Sequence, residues 1–210
     1  MTGPGSGWAV VIPVKPGAVG KSRLRLADVD RVTLARAIAL DTIAAAASCS
    51  EVAQVFVVTD DGALPALAFD IPGLRFVPEG NGALRGIDAA VAAGAAAAGE
   101  GMPRAALLGD LPALRAEDLA TALRDSSAVP RAVVADEEGT GTTLVTAAAG
   151  VPFRSSFGEG SFVRHVGLGC TPLDVDETST LRRDVDTADQ LLDAMTLGLG
   201  PRTARVLSGR

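Results

Sequence analysis

The sequence predicts an α/β domain with a mostly parallel central sheet flanked by helices, and three observations point to it. Apolar β-branched runs alternate along the chain with alanine- and leucine-rich segments of helical length. The hydrophobic fraction of 48% is dominated by alanine and valine, and aromatics reach only 3%, which suits helices packed closely on a sheet. At 210 residues the chain fits one domain with a proper core, residues 1–210, with 1–7 and 201–210 read as flexible termini.

The elements follow in order. Strands are expected at residues 9–14, 55–59, 74–77, 105–108 and 132–135, with helices at 30–48, 83–98 and 116–125 between them. After about residue 130 the rhythm changes. Residues 131–136 and 142–147 read as strands on either side of the turn EEGTG, and a Gly- and Phe-containing loop leads to a short helix at 161–166. A strand at 181–185 and a helix at 187–197 complete the pattern, and the alanine tract 89–98 reads as a helix face packed on the sheet. There is no internal repeat. A doubly wound sheet of this kind binds its ligand beyond the carboxyl ends of its strands.

Charge and composition exclude several classes of partner. A net charge of −6 and a pI near 4.8 argue against nucleic acid, and with no Tyr and a single Trp there is no stacking platform. No apolar run is long enough to span a membrane, and MTGPGSG is not a signal peptide. Cys49 and Cys170 lie far apart without metal-ligand spacing, which suits two reduced thiols in a cytoplasmic protein.

VIPVKPGAVGKSRL, residues 11–24, resembles a phosphate-binding loop at first sight. A Walker loop requires a glycine where this chain has Lys15, so the P-loop reading fails. A strand opening into a loop with Lys15, Lys21, Arg23 and Arg25 remains, suited to a polyanion or to a solvated basic turn.

Two groups of carboxylates fall near strand ends. In LLGDLPAL, Asp110 follows a buried strand in a turn made by Gly109 and Pro112, as a helix cap or a magnesium ligand. In RRDVDTADQL, Asp184 and Asp186 occupy alternate positions, so on a strand they share a face and repel one another unless a cation lies between them. Asp186 or Thr187 serves as a cap for the last helix, which accounts for one acid and not the other. Together with the basic loop these acids would make a magnesium site for phosphoryl or nucleotidyl transfer, if the fold brings them together.

PVK with the downstream KSRL, then LGDLPAL, GTGTT, FGEGSFVRH and DVDTADQL stand in the order found in the CofC/FbiD guanylyltransferases of deazaflavin-coenzyme (factor 420) biosynthesis, and the chain resembles that family from about residue 9 to 192. The resemblance implies a single-domain Rossmann-like nucleotidyltransferase fold of the GT-A/MobA kind. It also implies transfer of GMP from GTP to a phosphorylated three-carbon acid, phosphoenolpyruvate or 2-phospho-L-lactate, with Mg2+ as cofactor and pyrophosphate released. Matched position by position, Asp110, Asp184 and Asp186 are the implied metal carboxylates, and Thr143, Gly158 and Ser161 the implied contacts to the acceptor acid. Lys15, Lys21 and Arg23 are expected to hold the nucleotide's β- and γ-phosphates, with Asp110 and Lys21 carrying the transfer itself. Transient hand-off of the product to a downstream transferase belongs to the same expectation.

The residue types suit these roles. The turn before Thr143 can offer backbone N–H groups to an anion, Gly158 permits close approach of backbone, and Ser161 starts a helix, as a cap, an anion contact or both. One departure stands out: the family's Leu-Asn-x-Ala segment is here Leu84-Arg85-Gly86-Ile87, with Asn81 nearby as a substitute. His165, the only histidine, has three readings, a proton shuttle, a contact to the acceptor through the helix that begins at Ser161, or a structural residue with Arg164, and the last is favoured because an ionised acceptor phosphate needs no general base. The rival readings are a nucleotidyltransferase of the same fold acting on a sugar phosphate or molybdopterin, and a non-catalytic nucleotide-binding module.

Overall fold

The computed structural model describes residues 7–16, 24, 26, 29–79 and 86–209. Lys21, Arg23, Arg25, Asn81, Leu84 and Arg85, all singled out in the sequence, lie outside the described residues.

Seven strands form one sheet in the order β3-β2-β1-β4-β6-β5-β7. They are β1 (Trp8–Pro13), β2 (Val52–Val58), β3 (Leu74–Val77), β4 (Arg104–Leu107), β5 (Arg131–Ala135), β6 (Thr142–Ala147) and β7 (Thr171–Pro172). The pairs β1/β2, β2/β3, β1/β4 and β5/β7 are parallel, whereas β6 runs antiparallel to both β4 and β5. The helices are α1 (Arg31–Ser48), α2 (Leu64–Leu67), α3 (Ile87–Ala98), α4 (Ala116–Ser126), α5 (Ser161–Gly167), α6 (Ala188–Leu197) and α7 (Pro201–Leu207).

The alternation of side chains along a strand builds two layers. From β1, Trp8, Val10 and Ile12 join Leu40, Ile43, Leu119 and Leu123 of α1 and α4 on one face. Ala9 and Val11 meet Phe56, Val58 and Ala90 on the other, under the alanine tract of α3. That tract therefore packs on the sheet as its composition suggests. Small methyl groups let α3 approach closely. The buried thiols of Cys49 and Cys170 are both free, and burial raises the pKa of each.

Four local expectations are revised. Residues 181–185 are not a strand: Thr180–Arg182 form a 3₁₀ turn capped by the Ser179 hydroxyl, and an extended segment follows. The third helix begins at Ile87 rather than at 83, after Gly86 with φ of 113°. Residues 201–210 contain α7, with Thr203 fully buried and the Asp41 carboxylate accepting from the N–H groups of Arg202 (3.1 Å) and Thr203 (2.7 Å). A buried carboxylate on the first turn of a helix satisfies orphan donors and complements its dipole, so this segment is fastened to α1. The two-residue β7 has no counterpart in the sequence reading.

Candidate functional site

The chain reverses its winding between β1 and β4, and the crevice at their carboxyl ends is the expected ligand position in such a sheet. Lys15 leaves β1 there and is exposed, two residues beyond Pro13. Gly109 leaves β4 beside it. A β-carbon on Gly109 would come within 3.1 Å of the Pro13 carbonyl oxygen, so a larger residue would press the two strand ends apart by a few tenths of an ångström.

Asp110 follows Gly109, in a turn held from three sides. The Leu111 N–H donates to the Thr42 hydroxyl of α1 (3.0 Å), and the Gly200 N–H donates to the Pro112 carbonyl (2.8 Å). The third tie is the decisive one: the Val185 N–H donates to the carbonyl of Asp110 itself (3.0 Å). Val185 is fully buried in a cluster with Leu34, Ile38, Ala113, Leu191 and Ala194. Asp184, half-buried, and exposed Asp186 flank it. The fold thus brings the two acidic segments together, although not through a strand at 181–185.

Cap chemistry does not account for these acids. The residue preceding α4 is Arg115, so Asp110 caps no helix. At α6 the cap is Thr187, in a reciprocal box with Gln190, whose side-chain oxygen also accepts from the Asp186 N–H (2.8 Å). Neither acid of the DVD motif is the cap residue of α6.

Sequence reasoning missed Asp136 and Glu138. Among the described residues, the carboxylates of Asp136, Glu138 and Asp184 come within 4.8 Å of one another, a group that could hold a metal ion. Arg182 donates to the Asp136 carbonyl (3.0 Å) and Arg183 pairs with Glu137, which draws the closing segment onto this turn. The signal was present as the acid run before Gly139. It was read as turn chemistry alone.

The Gly-rich turn is itself corrected. Its N–H groups were expected to meet an external anion, but those of Thr140 (3.0 Å) and Gly141 (2.7 Å) donate to the Asp136 carboxylate. The anion that organises the turn is the protein's own.

Past the turn, β5 and β6 pair Val134 with Leu144 and Ala135 with Thr142, which leaves Thr143 as the extra residue of a bulge. Thr143 is fully buried, its carbonyl accepts from the Leu108 N–H (2.9 Å), and its hydroxyl has no partner among the described residues. A buried hydroxyl left unpaired costs free energy, so its presence calls for a reason. Ser161 is also buried, at 2% exposure. It is not the cap of α5, as the sequence suggested: Gly160 holds that position, and the Ser161 N–H donates back to the Gly158 carbonyl (3.0 Å). Gly158 has φ of 109°, a conformation that only glycine adopts without strain, and its backbone is exposed.

Arg164 and His165 staple the loop before α5. The Arg164 guanidinium donates to the carbonyls of Ser156 (3.3 Å), Phe157 (3.0 Å) and Glu159. The His165 ring is fully buried, sits edge-on to Phe157 at 5.0 Å, and accepts the Ser156 N–H on Nε2 (2.9 Å). Its other nitrogen, Nδ1, lies 3.0 Å from the Thr142 hydroxyl and is therefore the protonated one in the neutral ring. Burial holds its pKa below the ordinary value. With both nitrogens engaged, the structural reading of His165 is the one the geometry favours. Among the described residues, no helix is long and apolar enough to cross a membrane.

Comparison with known proteins fits this geometry. A family model described as "Guanylyl transferase CofC like" matches residues 8–208. The chain is 47% identical over 204 residues to a phosphoenolpyruvate guanylyltransferase of Streptomyces scabiei, covering 94% of each chain. With a phosphoenolpyruvate guanylyltransferase of Thermomonospora curvata it shares 45% identity over 201 residues, 94% of this chain and 87% of the relative. A nucleotidyl transferase from Methanothermobacter superposes with a TM-score of 0.61 at 16% identity, over 98% of this chain and all of the other, a likeness of fold.

Proposed function

Starting from a chain that belongs to the CofC-like guanylyl transferase family, we propose that it transfers GMP from GTP to phosphoenolpyruvate, as a step in deazaflavin-coenzyme (factor 420) synthesis. The observation that carries the proposal is the Val185 N–H donating to the Asp110 carbonyl, which joins the segments bearing Asp110, Asp184 and Asp186 at the crevice beside Lys15.

In this reading Lys15, with Lys21 and Arg23 from the loop that follows it, holds the β- and γ-phosphates of GTP. The hydroxyls of Thr143 and Ser161 and the backbone at Gly158 hold the acceptor acid. The unpaired Thr143 hydroxyl supports that assignment, because a bound carboxylate or phosphate would give it the partner it lacks. An oxygen of the acceptor phosphate attacks the α-phosphorus in line, the bond to the bridging β-phosphate oxygen breaks, and pyrophosphate leaves. That oxygen is already ionised, so no side chain need take a proton. Most of the rate then comes from fixing two polyanions in register and neutralising their charge.

Carboxylates suit magnesium, a hard cation that takes their oxygens at about 2.1 Å and keeps several waters, and Asp184 also belongs to the group with Asp136 and Glu138 whose oxygens come within 4.8 Å of one another among the described residues. Asp110 and Asp186 would hold it, with Asp184 as a direct ligand or one layer behind. When bound, it supplies charge neutralisation at the facing phosphates. Cytoplasmic location, and transient hand-off of the phosphoanhydride product to a downstream transferase, belong to the same proposal.

The test is pyrophosphate release from GTP and magnesium with phosphoenolpyruvate, 2-phospho-L-lactate or phosphoglycerate supplied in turn. Release with phosphoenolpyruvate is expected. No release with any of the three acids overturns the proposal.

A further inference from the structure

We propose that His165 is a positioning residue of the acceptor pocket, its two ring nitrogens holding the strand and the loop that carry Thr143 and Gly158 against the helix that begins with Ser161. This rests on the pocket assigned above.

Three separate pieces of chain must meet for those groups to face one ligand, and His165 touches each of them. Through Nδ1 it holds the Thr142 hydroxyl, next to the bulged Thr143. Through Nε2 it accepts from Ser156, two residues before Gly158, while its ring edge packs on Phe157. On its own helix it stands one turn beyond Ser161, on the same face. Asp88 fastens the loop from α3, accepting the Phe157 N–H at 3.0 Å. The imidazole can hold both partners only when neutral, with Nδ1 donating and Nε2 accepting.

Protonation at Nε2 would set two N–H groups against each other and release Ser156. Burial favours the neutral ring and lowers the pKa; Asp88 on α3 pulls it back up and Arg164 pushes it further down. A lowered pKa means the contact is intact at and somewhat below the ordinary imidazole value of about 6.5 and is lost only as pH falls through the lower value of the folded protein. Its loss loosens the acceptor's pocket and leaves β1, on the other side of β4, with Lys15 beyond its end, in place.

The experiment measures KM for phosphoenolpyruvate, KM for GTP and kcat in the intact protein and in His165→Leu, His165→Gln and Thr143→Val, from about pH 8 down to the lowest pH at which the protein stays folded. His165→Leu should raise KM for phosphoenolpyruvate about tenfold, with kcat and KM for GTP changed by less than about twofold. His165→Gln, whose amide oxygen can still accept from Ser156 and does not titrate, should recover most of that loss. It should also show a flatter rise of the acceptor KM at low pH than the unmodified protein, a comparison in which titration of the substrate's own phosphate cancels. If Thr143→Val raises the acceptor KM while both His165 variants match the unmodified protein at every pH, the positioning role is overturned and the pocket stands. If Thr143→Val leaves that KM unchanged, the pocket reading falls and the inference with it. Should His165→Leu fail to fold, the pH comparison with His165→Gln decides the question.

Discussion

The two halves of the sheet are built by different rules. From β3 to β4 the strands are parallel, joined through helices, and the side chains along them are almost all apolar, with Lys15 and Asp110 emerging beyond their carboxyl ends. From β6 to β7 the chain turns back on itself, and buried polar groups crowd together: Asp136, Thr142, Thr143, Thr146, Ser161 and His165. A parallel crossover can fill its core with methyl groups alone. The hairpin half has a bulge and a loop to fix, and it fixes them with hydrogen bonds. The group of acids that could hold a metal ion lies across this boundary, with Asp136 and Glu138 in the hairpin turn and Asp184 from the closing segment.

The sharpest way to break this comparison is at the parallel end. Asp110→Ala should lower pyrophosphate release by about a thousandfold or more while leaving the melting temperature within about 3 °C, measured by a coupled assay and calorimetry. A rate within a few fold of the unmodified protein would remove Asp110 from the chemistry. Val185→Ala comes next, since it empties part of the cluster that seats the DVD segment. A stability loss of about 2 kcal/mol in urea titration, together with a drop in kcat, is expected.

On the hairpin side the effects should be smaller and of mixed sign. Thr143→Val removes a buried hydroxyl that lacks a partner, so it should raise KM for the acceptor about tenfold while stabilising the fold by about 1 kcal/mol. Loss of stability instead would mean the hydroxyl serves the fold. The smallest change belongs to Arg202→Ala, away from the hairpin on α7, which removes the pair with the half-exposed Asp70 (2.7 Å) and a longer contact with the buried Asp41 (3.8 Å), whose carboxylate keeps its backbone donors, and should cost about 1 kcal/mol.

The same division governs what the sequence made legible. Strands in the parallel half carry continuous apolar runs and were recovered within a few residues, and Thr142–Ala147 was recovered outright because alternation and a glycine turn bound it. Leu181 and Val185 are both buried, and that spacing suggested a strand; the Ser179 cap that winds the first of them into a 3₁₀ turn is a weak local signal. β7 is two exposed residues, one of them proline, and is defined only by its neighbour β5. Asp110, Asp184 and Asp186 stand out in the sequence through LGDLPAL and DVDTADQL, and the structure brings those two segments together through the Val185 N–H and the Asp110 carbonyl. Asp136 was missed because its carboxylate points back into its own turn, a choice that local composition does not reveal.

The joint between Val185 and Asp110 also bears on how the protein is made. During synthesis the sheet's strands, down to β7, emerge before the DVD segment does, so the scaffold can begin to pack while the Asp110 turn still lacks Val185 below it and Gly200 beside it. Contacts this distant along the chain form late because closing the loop between them costs entropy before it gives any return. A growing chain can therefore assemble its sheet before the turn at Asp110 is tied down by Val185 and Gly200.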